Sequence, residues 1–411
     1  MANFKILALA VLVVLSFILS CGSQSAKDNN SNPVDSINAP VESKKPNSDL
    51  KPAFKGQTRI GGVKTRSLIK VSMLTNQLNR PWGIVSLPDG RFLITEKAGT
   101  MRIVGSDGNL GQPISGIPAV NSNGQGGLLG LVLDPGFSEN RMLYWTFSET
   151  TSDGTLTSVA KGKLSTDEKR IENAVVIYRA KPAYDGTLHY GSRILFDRSG
   201  NLLVSTGERS DIETRPQAQY LNSALGKIIR ITTDGKPASG NPFLNRSEAW
   251  PEIYSYGHRN VQSLALHPQT GELWEAEFGP RGGDELNLIK PGKNYGWPII
   301  SYGIEYGGDK IGQGLTQAEG MEQPVYYWDP VLSPSGMTFY KGEAIPEWKN
   351  NLFICGLNSN HVARLVIVDN KVIGEERLLR EEGQRYRDIT QGKDGALYVV
   401  TDEGRLYRLG K

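Results

Sequence analysis

"RILFDRSGNLLVSTGE" (Arg193–Glu208) is a short apolar stretch, a polar turn, and a second apolar stretch that ends in small polar residues. "RILF" and "NLLVST" are the length of strands rather than helices, and the Asp, Ser and Gly of "DRSG" are turn formers. The same unit returns as "GIVSLPDGRFLITEK" (Gly83–Lys97), "GLVLDPGFSENRMLYWTFSE" (Gly130–Glu149), "SLALHPQTGELWEAEFG" (Ser263–Gly279), "MTFYKGEAIPEWKNNLFICGL" (Met337–Leu357) and "DITQGKDGALYVVTDE" (Asp388–Glu403). Each copy is followed by a further strand-like piece, such as "GTMRIVG", "KIIRITTDG" or "HVARLVIV". Units of three or four strands, about 45 to 80 residues apart, predict an all-β fold: a six-bladed β-propeller with four-stranded antiparallel blades. A single large sandwich would leave the sixfold return of one turn chemistry unexplained. "SLIKVSML" (Ser67–Leu74), ahead of the first copy, is expected to supply the missing strand of the last blade and close the ring. The 47 glycines and 22 prolines suit many short strands joined by turns.

The start of the 411-residue chain reads differently. "MANFKILALAVLVVLSFILSC" (Met1–Cys21) has one early lysine, Lys5, then an apolar run from Ile6 to Leu19 and the pair Ser20-Cys21. The run is short for a bilayer span and matches a signal-peptide core. "ILSC" resembles the lipobox of bacterial lipoproteins, whose cysteine is lipidated; an ordinary export signal with a chance cysteine is the alternative. Residues 22–65 are rich in Ser, Asn, Lys and Pro and are expected to be a flexible tether, leaving residues 66–411 for the propeller. The expected location is exported, periplasmic or at the cell surface, with membrane contact only through a lipid anchor. A net charge of +3 gives no basic field that would call for nucleic acid. Cys355, the second of the two cysteines, sits in "LFIC" and reads as a buried strand residue rather than a nucleophile.

In a propeller the first strand of each blade lines the central channel, and the residues just before it ring one mouth. Here that rule gathers Arg80, Gln125, His189, Arg259, Asn260, Ser333, Arg385 and Arg387. Guanidinium groups suit carboxylates or phosphates. A single histidine among them suits a general base, because its pKa lies near neutrality and neighbouring cations favour its neutral form. A histidine at a strand start can equally be structural, but convergence with arginines on the channel axis favours chemistry. His258 alternates away from Arg259, His267 lies in the turn "HPQTG", and His361 starts an outer strand. "EFGPRGGDELNLIKPGKNYGWP" (Glu277–Pro298) adds the carbonyls of a Gly-Pro turn with Asp284 and Glu285, hard oxygen donors suited to Ca²⁺, although such a loop is by itself also an ordinary turn.

"GQGGLLGLVLDPGF", "GSRILFDRSGNLLVSTGER", "LGKIIRI", "YSYGHRNVQSLALHP", "FGPRGGDELNLIKPGKNYGWP" and "RYRDITQGKDGALYVVTD" together resemble the soluble glucose/aldose sugar dehydrogenases that use pyrroloquinoline quinone (PQQ). The resemblance runs from about Ser67 to Lys411. It implies a six-bladed propeller that holds the quinone over its channel with Ca²⁺ beneath. It places the base on His189, cofactor contacts on Gln125, Arg259, Asn260, Arg385, Arg387 and Trp328, and calcium-binding carbonyls on Gly279 and Pro280. The implied reaction oxidises the C1 hydroxyl of an aldose to a lactone. His189 takes the proton and the quinone takes the hydride, while Ca²⁺ polarises the quinone carbonyl. The chain carries no P-loop, dinucleotide fingerprint or CxxCH haem motif, so electrons are expected to leave to a separate acceptor, a quinone or a cytochrome.

Two departures stand out. The glucose enzymes have an acidic residue before the base, where this chain has Leu188, and a cofactor-binding lysine where it has Asn358. The first removes a sugar contact and puts glucose preference in doubt. The second removes a charge, so that affinity is weaker or another group, such as Arg80, supplies it. Two other readings remain: a non-catalytic surface interaction module, and a calcium-dependent lactonase. A lactonase needs acidic groups at the axis, where this chain is expected to be cationic.

Overall fold

The computed structural model describes residues 36–411, so the expected signal-peptide core and Cys21 lie outside the described residues. Within them, six sheets follow one another along the chain. Their innermost strands are Pro81–Ser86, Leu128–Leu133, Ile194–Phe196, Val261–Leu266, Pro334–Phe339 and Tyr386–Gln391. Each of these packs against the next, and the last packs against the first. That closed ring is a six-bladed β-propeller.

The stretch Arg193–Glu208 shows how one blade is specified. Ile194–Phe196 pairs with Leu202–Ser205, which pairs with Lys227–Ile231, which pairs with Ile253–Tyr256, all antiparallel. Asp197 closes the first turn: its Oδ1 accepts the amides of Ser199 and Asn201 at 2.8 and 2.9 Å. Gly200 adopts φ 77°, a left-handed conformation that any side chain would strain.

The apolar core is divided among the six seams between blades. Leu93 meets Trp145 between blades one and two, and Tyr144 meets Val204 between two and three. Ile228 and Val261 fill the next seam, then Trp274 and Phe339, then Phe353 and Tyr386. Phe92 and Tyr398, with ring centroids 4.2 Å apart, close the seam between the last blade and the first. Each sheet therefore buries both faces, and radial repetition leaves only short edges.

One detail differs from expectation. Blade one has three regular strands, and isolated bridges from Met101 to Ile114 and from Val104 to Leu110 take the place of its fourth. As expected, the outer strand of blade six comes from the N-terminal side: Lys70–Thr75 pairs antiparallel with Leu406–Gly410 and completes the C-terminal blade.

A larger difference concerns residues 36–65, expected as tether. Ser36–Pro40 pairs with Gly61–Val63, and Gly62 pairs in parallel with Glu375 on the outer strand of blade five. Between them the chain is fixed by polar contacts. Gln57, fully buried, accepts the Ala53 amide at 2.7 Å and donates to the Pro324 carbonyl at 2.9 Å. Glu42 pairs with Arg377 at 2.8 Å. A segment this poor in apolar residues cannot build a core, but it can dock by hydrogen bonding on a rim that others have built.

Candidate active site

The residues that precede the innermost strands meet at one mouth of the channel. Arg80, His189 and Ser333 hold the equivalent place in blades one, three and five, with φ of 49°, 45° and 54°. A left-handed conformation costs a residue with a Cβ about 1–2 kcal/mol, which surrounding contacts must offset. At His189 they are visible. Its amide donates to Gln125 Oε1 at 2.9 Å, and the Gly191 amide donates to Asn260 Oδ1 at 3.0 Å.

The imidazole is nearly closed to solvent, 6 % exposed, and its Nδ1 lies 2.6 Å from Glu208 Oε1. That contact sets Nδ1–H toward the carboxylate and leaves Nε2 as the acceptor. Burial, reinforced by the Arg259 charge, depresses the His189 pKa to about 4 against the opposing pull of Glu208. The ring is therefore neutral at physiological pH. His189 lines a recess of ≈ 340 Å³ together with Gln125, Arg259, Phe278, Gly279, Pro280 and Ser333.

Gln125, Phe278, Ser333 and Asn358 also line an adjoining recess of ≈ 350 Å³. Its far wall is cationic: Arg80, Lys97, Arg385 and Arg387 stand around the single carboxylate of Asp402. Arg387 Nε and Arg385 Nε donate to the two Asp402 oxygens at 2.8 and 3.0 Å. Arg385 also donates to Asn358 Oδ1 at 3.3 Å. Trp82 gives this recess an apolar surface, with the Arg193 guanidinium 4.3 Å from its ring centre.

The structure brings His189, Gln125, Arg259, Arg385 and Arg387 together as expected and places two others differently. Asn260 is fully buried and lines neither recess; it acts by clamping the turn after His189. Trp328 packs between blades four and five, edge-on to Tyr326 at 5.1 Å, and faces neither recess. Its position on the outer strand of blade four, paired with Asp284, directs it to the seam. Asp284, expected as a hard oxygen donor, is already saturated by the amides of Gly279, Leu332 and Ser333 at 2.8, 2.7 and 2.7 Å. Burial nonetheless raises its pKa to about 6. It ties the Gly-Pro turn to the blade-five loop.

Four residues escaped the sequence reading: Glu208, Lys97, Trp82 and Asp402. Glu208 follows the second strand of the blade whose first strand follows His189, so the hairpin returns it to the same mouth. Strand pairing alone could have found it.

The residues fit an anionic planar group and a divalent cation. Arg259, which lines the His189 recess, has in Nε a buried donor with no acceptor among the described residues. Behind the Gly279 turn, His258, Glu275 and Glu277 bring ligand atoms within 4.8 Å of one another. Burial, then the charge of Glu277, holds Glu275 and the neighbouring Glu285 well above the usual carboxylate range. Glu275 Oε2 and Asn287 Oδ1 are buried acceptors without donors. Gly279 and Pro280 line the His189 recess, and the Gly279 carbonyl accepts Arg259 Nη1 at 2.8 Å.

Fold and site together define a propeller oxidoreductase with a buried histidine beside a cationic recess. The chain belongs to the glucose/sorbosone dehydrogenase family, which matches residues 78–408. It is 40% identical over 338 residues to the aldose sugar dehydrogenase YliI of Escherichia coli, covering 82% of this chain and 90% of that one. A solved glucose dehydrogenase superposes with a TM-score of 0.80 at 42% identity, over 83% of this chain and 99% of that one. The PQQ-bound aldose sugar dehydrogenase of Streptomyces coelicolor superposes with a TM-score of 0.69 at 29% identity, over 84% and 99% of the two chains.

Proposed function

We propose that this protein oxidises aldose sugars at C1 to lactones, with PQQ as resident cofactor, Ca²⁺ as its metal, and a separate electron acceptor. The observation that carries the reading is a buried His189, its Nδ1 2.6 Å from Glu208 Oε1, in a recess that adjoins a cationic one. PQQ carries three carboxylates, for which Arg80, Lys97, Arg385 and Arg387 are the partners, with Trp82 beside them. When bound, the quinone supplies the hydride acceptor. His189 Nε2 takes the C1 hydroxyl proton, and Glu208 stabilises the imidazolium that forms. Arg259, between the recess and the Gly279 carbonyl, would adjust its hydrogen bonds as the cation binds. A divalent cation beside the buried Glu275 and Glu285 would displace the protons that burial and the Glu277 charge otherwise hold on them.

Export and anchoring through Cys21 belong to the same proposal and would keep the enzyme on the outer side of a membrane. The test is reconstitution: purified apo-protein is titrated with PQQ and Ca²⁺, followed by absorbance, and then assayed for dye reduction with a panel of aldoses. A saturable spectral change with sugar-dependent reduction is expected. Absence of both would leave a non-catalytic propeller.

A further inference from the structure

The docked N-terminal segment reaches the recess that holds the base. Asn47 is one of the residues lining it and the one that lies outside the residues that match the family. The segment is fastened at this point. The amides of Asn47 and Ser48 donate to the two Asp329 carboxylate oxygens at 2.8 and 3.3 Å, and Ser48 Oγ donates to one of them at 3.4 Å. Arg59 Nη2 donates to the Asp329 carbonyl at 2.8 Å. Asn47 Nδ2 donates to the Pro330 carbonyl at 3.0 Å, which fixes the orientation of its amide group. Asn47 Oδ1 has no partner among the described residues.

Pro330, Val331 and Ser333, from the loop Asn47 is bound to, line the same recess, as does Tyr306, which is 71 % exposed. An exposed aromatic residue and an oriented amide group lining one recess suit a pyranose, which offers C–H groups on its face and hydroxyls on its edge. On the His189 side the residue before the base is Leu188, which can offer a sugar hydroxyl no side-chain hydrogen bond.

Resting on the aldose reading above, we infer that Asn47 is a specificity-determining residue: its Oδ1 accepts a hydrogen bond from a sugar hydroxyl remote from C1, so that the N-terminal segment forms one wall of the substrate site. Because Asn47 lies away from the cationic recess, its loss should leave cofactor binding untouched.

The test compares wild type, Asn47→Ala and Asn47→Leu with Ser48→Ala, which alters the same fastening without altering the lining. Each is reconstituted with PQQ and Ca²⁺, its PQQ affinity is measured by spectral titration, and KM and kcat are measured over aldoses that differ at single hydroxyls. For both Asn47 variants KM should rise roughly 3- to 10-fold on the preferred sugars, as expected for one neutral hydrogen bond. The ranking of sugars should flatten, with kcat and PQQ affinity unchanged. Ser48→Ala should follow wild type. Amide hydrogen exchange in residues 42–50 should slow when sugar is added to loaded wild type and not to loaded Asn47→Leu. Unchanged KM on every sugar, or an equal fall in kcat on all of them, overturns the inference. A wild type that binds PQQ and oxidises no aldose overturns the aldose reading itself, and this inference with it.

Discussion

His189 Nδ1 lies 2.6 Å from Glu208 Oε1, and both side chains are almost fully enclosed. The carboxylate fixes one tautomer and so decides which ring nitrogen is free to take a proton. Because burial and Arg259 depress the His189 pKa to about 4, the imidazole is already deprotonated through the neutral range. His189→Gln should lower turnover roughly 10²- to 10⁴-fold while PQQ still binds. Glu208→Gln should lower it less, by releasing the tautomer while keeping the shape. In wild type the acid limb of kcat/KM should fall near pH 4 rather than 6.5. The same shift has a stability consequence. Between pH 6.5 and 4 the unfolded histidine takes up a proton that the folded one refuses, so stability declines as pH falls through that window. Unchanged turnover in His189→Gln removes it as the base.

A buried ion pair holds the ring together. Arg193 Nη1 and Asp388 Oδ2 are 2.8 Å apart, both side chains at most 9 % exposed, and they come from blades three and six, which face each other across the channel. The same Asp388 oxygen accepts the Ile84 amide at 2.9 Å, and Arg193 Nε donates to the Gln262 carbonyl at 3.0 Å. Four of the six blades are thereby joined at the axis. Asp388→Ala leaves a buried guanidinium unpaired and should destabilise by about 3–5 kcal/mol. The double variant Arg193→Met with Asp388→Leu should recover much of that loss. Urea denaturation midpoints for the single and double variants measure the coupling, and additive losses would mean that the pair does not link the blades.

Much of this was legible in the sequence because propeller blades repeat. The six turns carried the blade count, and the rule that residues before each first strand ring one mouth found His189, Gln125, Arg259, Arg385 and Arg387. What the rule missed came from other places in the blade. Lys97 and Asp402 follow second strands, as Glu208 does, and hairpin pairing returns those positions to the same mouth. Trp328 was misplaced because the resemblance fixed a residue type without fixing the face of its strand. The docking of residues 36–65 was illegible for a different reason. Composition predicts whether a segment can form its own core, and this one cannot; hydrogen bonding to a rim formed by blades four and five leaves no apolar pattern to read.

Lys97 answers the question raised by Asn358. The expected cofactor lysine is absent there, yet a lysine from blade one lines the same recess. Its Nζ donates to the carbonyls of Gly124 and Ser122 at 2.6 and 3.2 Å, so the ammonium is held in place before any ligand arrives. Burial, then the charges of Arg80 and Arg387, lowers its pKa to about 8. A cation that is lost on raising the pH through 8 should give the apo-protein a pH-dependent affinity for an anionic cofactor. PQQ binding, followed by absorbance at low salt, should weaken as pH rises from 7 to 9 in wild type. In Lys97→Arg, which keeps its charge, the affinity should stay level across that range. In Lys97→Met it should be about tenfold or more weaker throughout, the worth of one charged hydrogen bond. A wild-type affinity that is level from pH 7 to 9 and matched by Lys97→Met would show that the arginines alone hold the carboxylates.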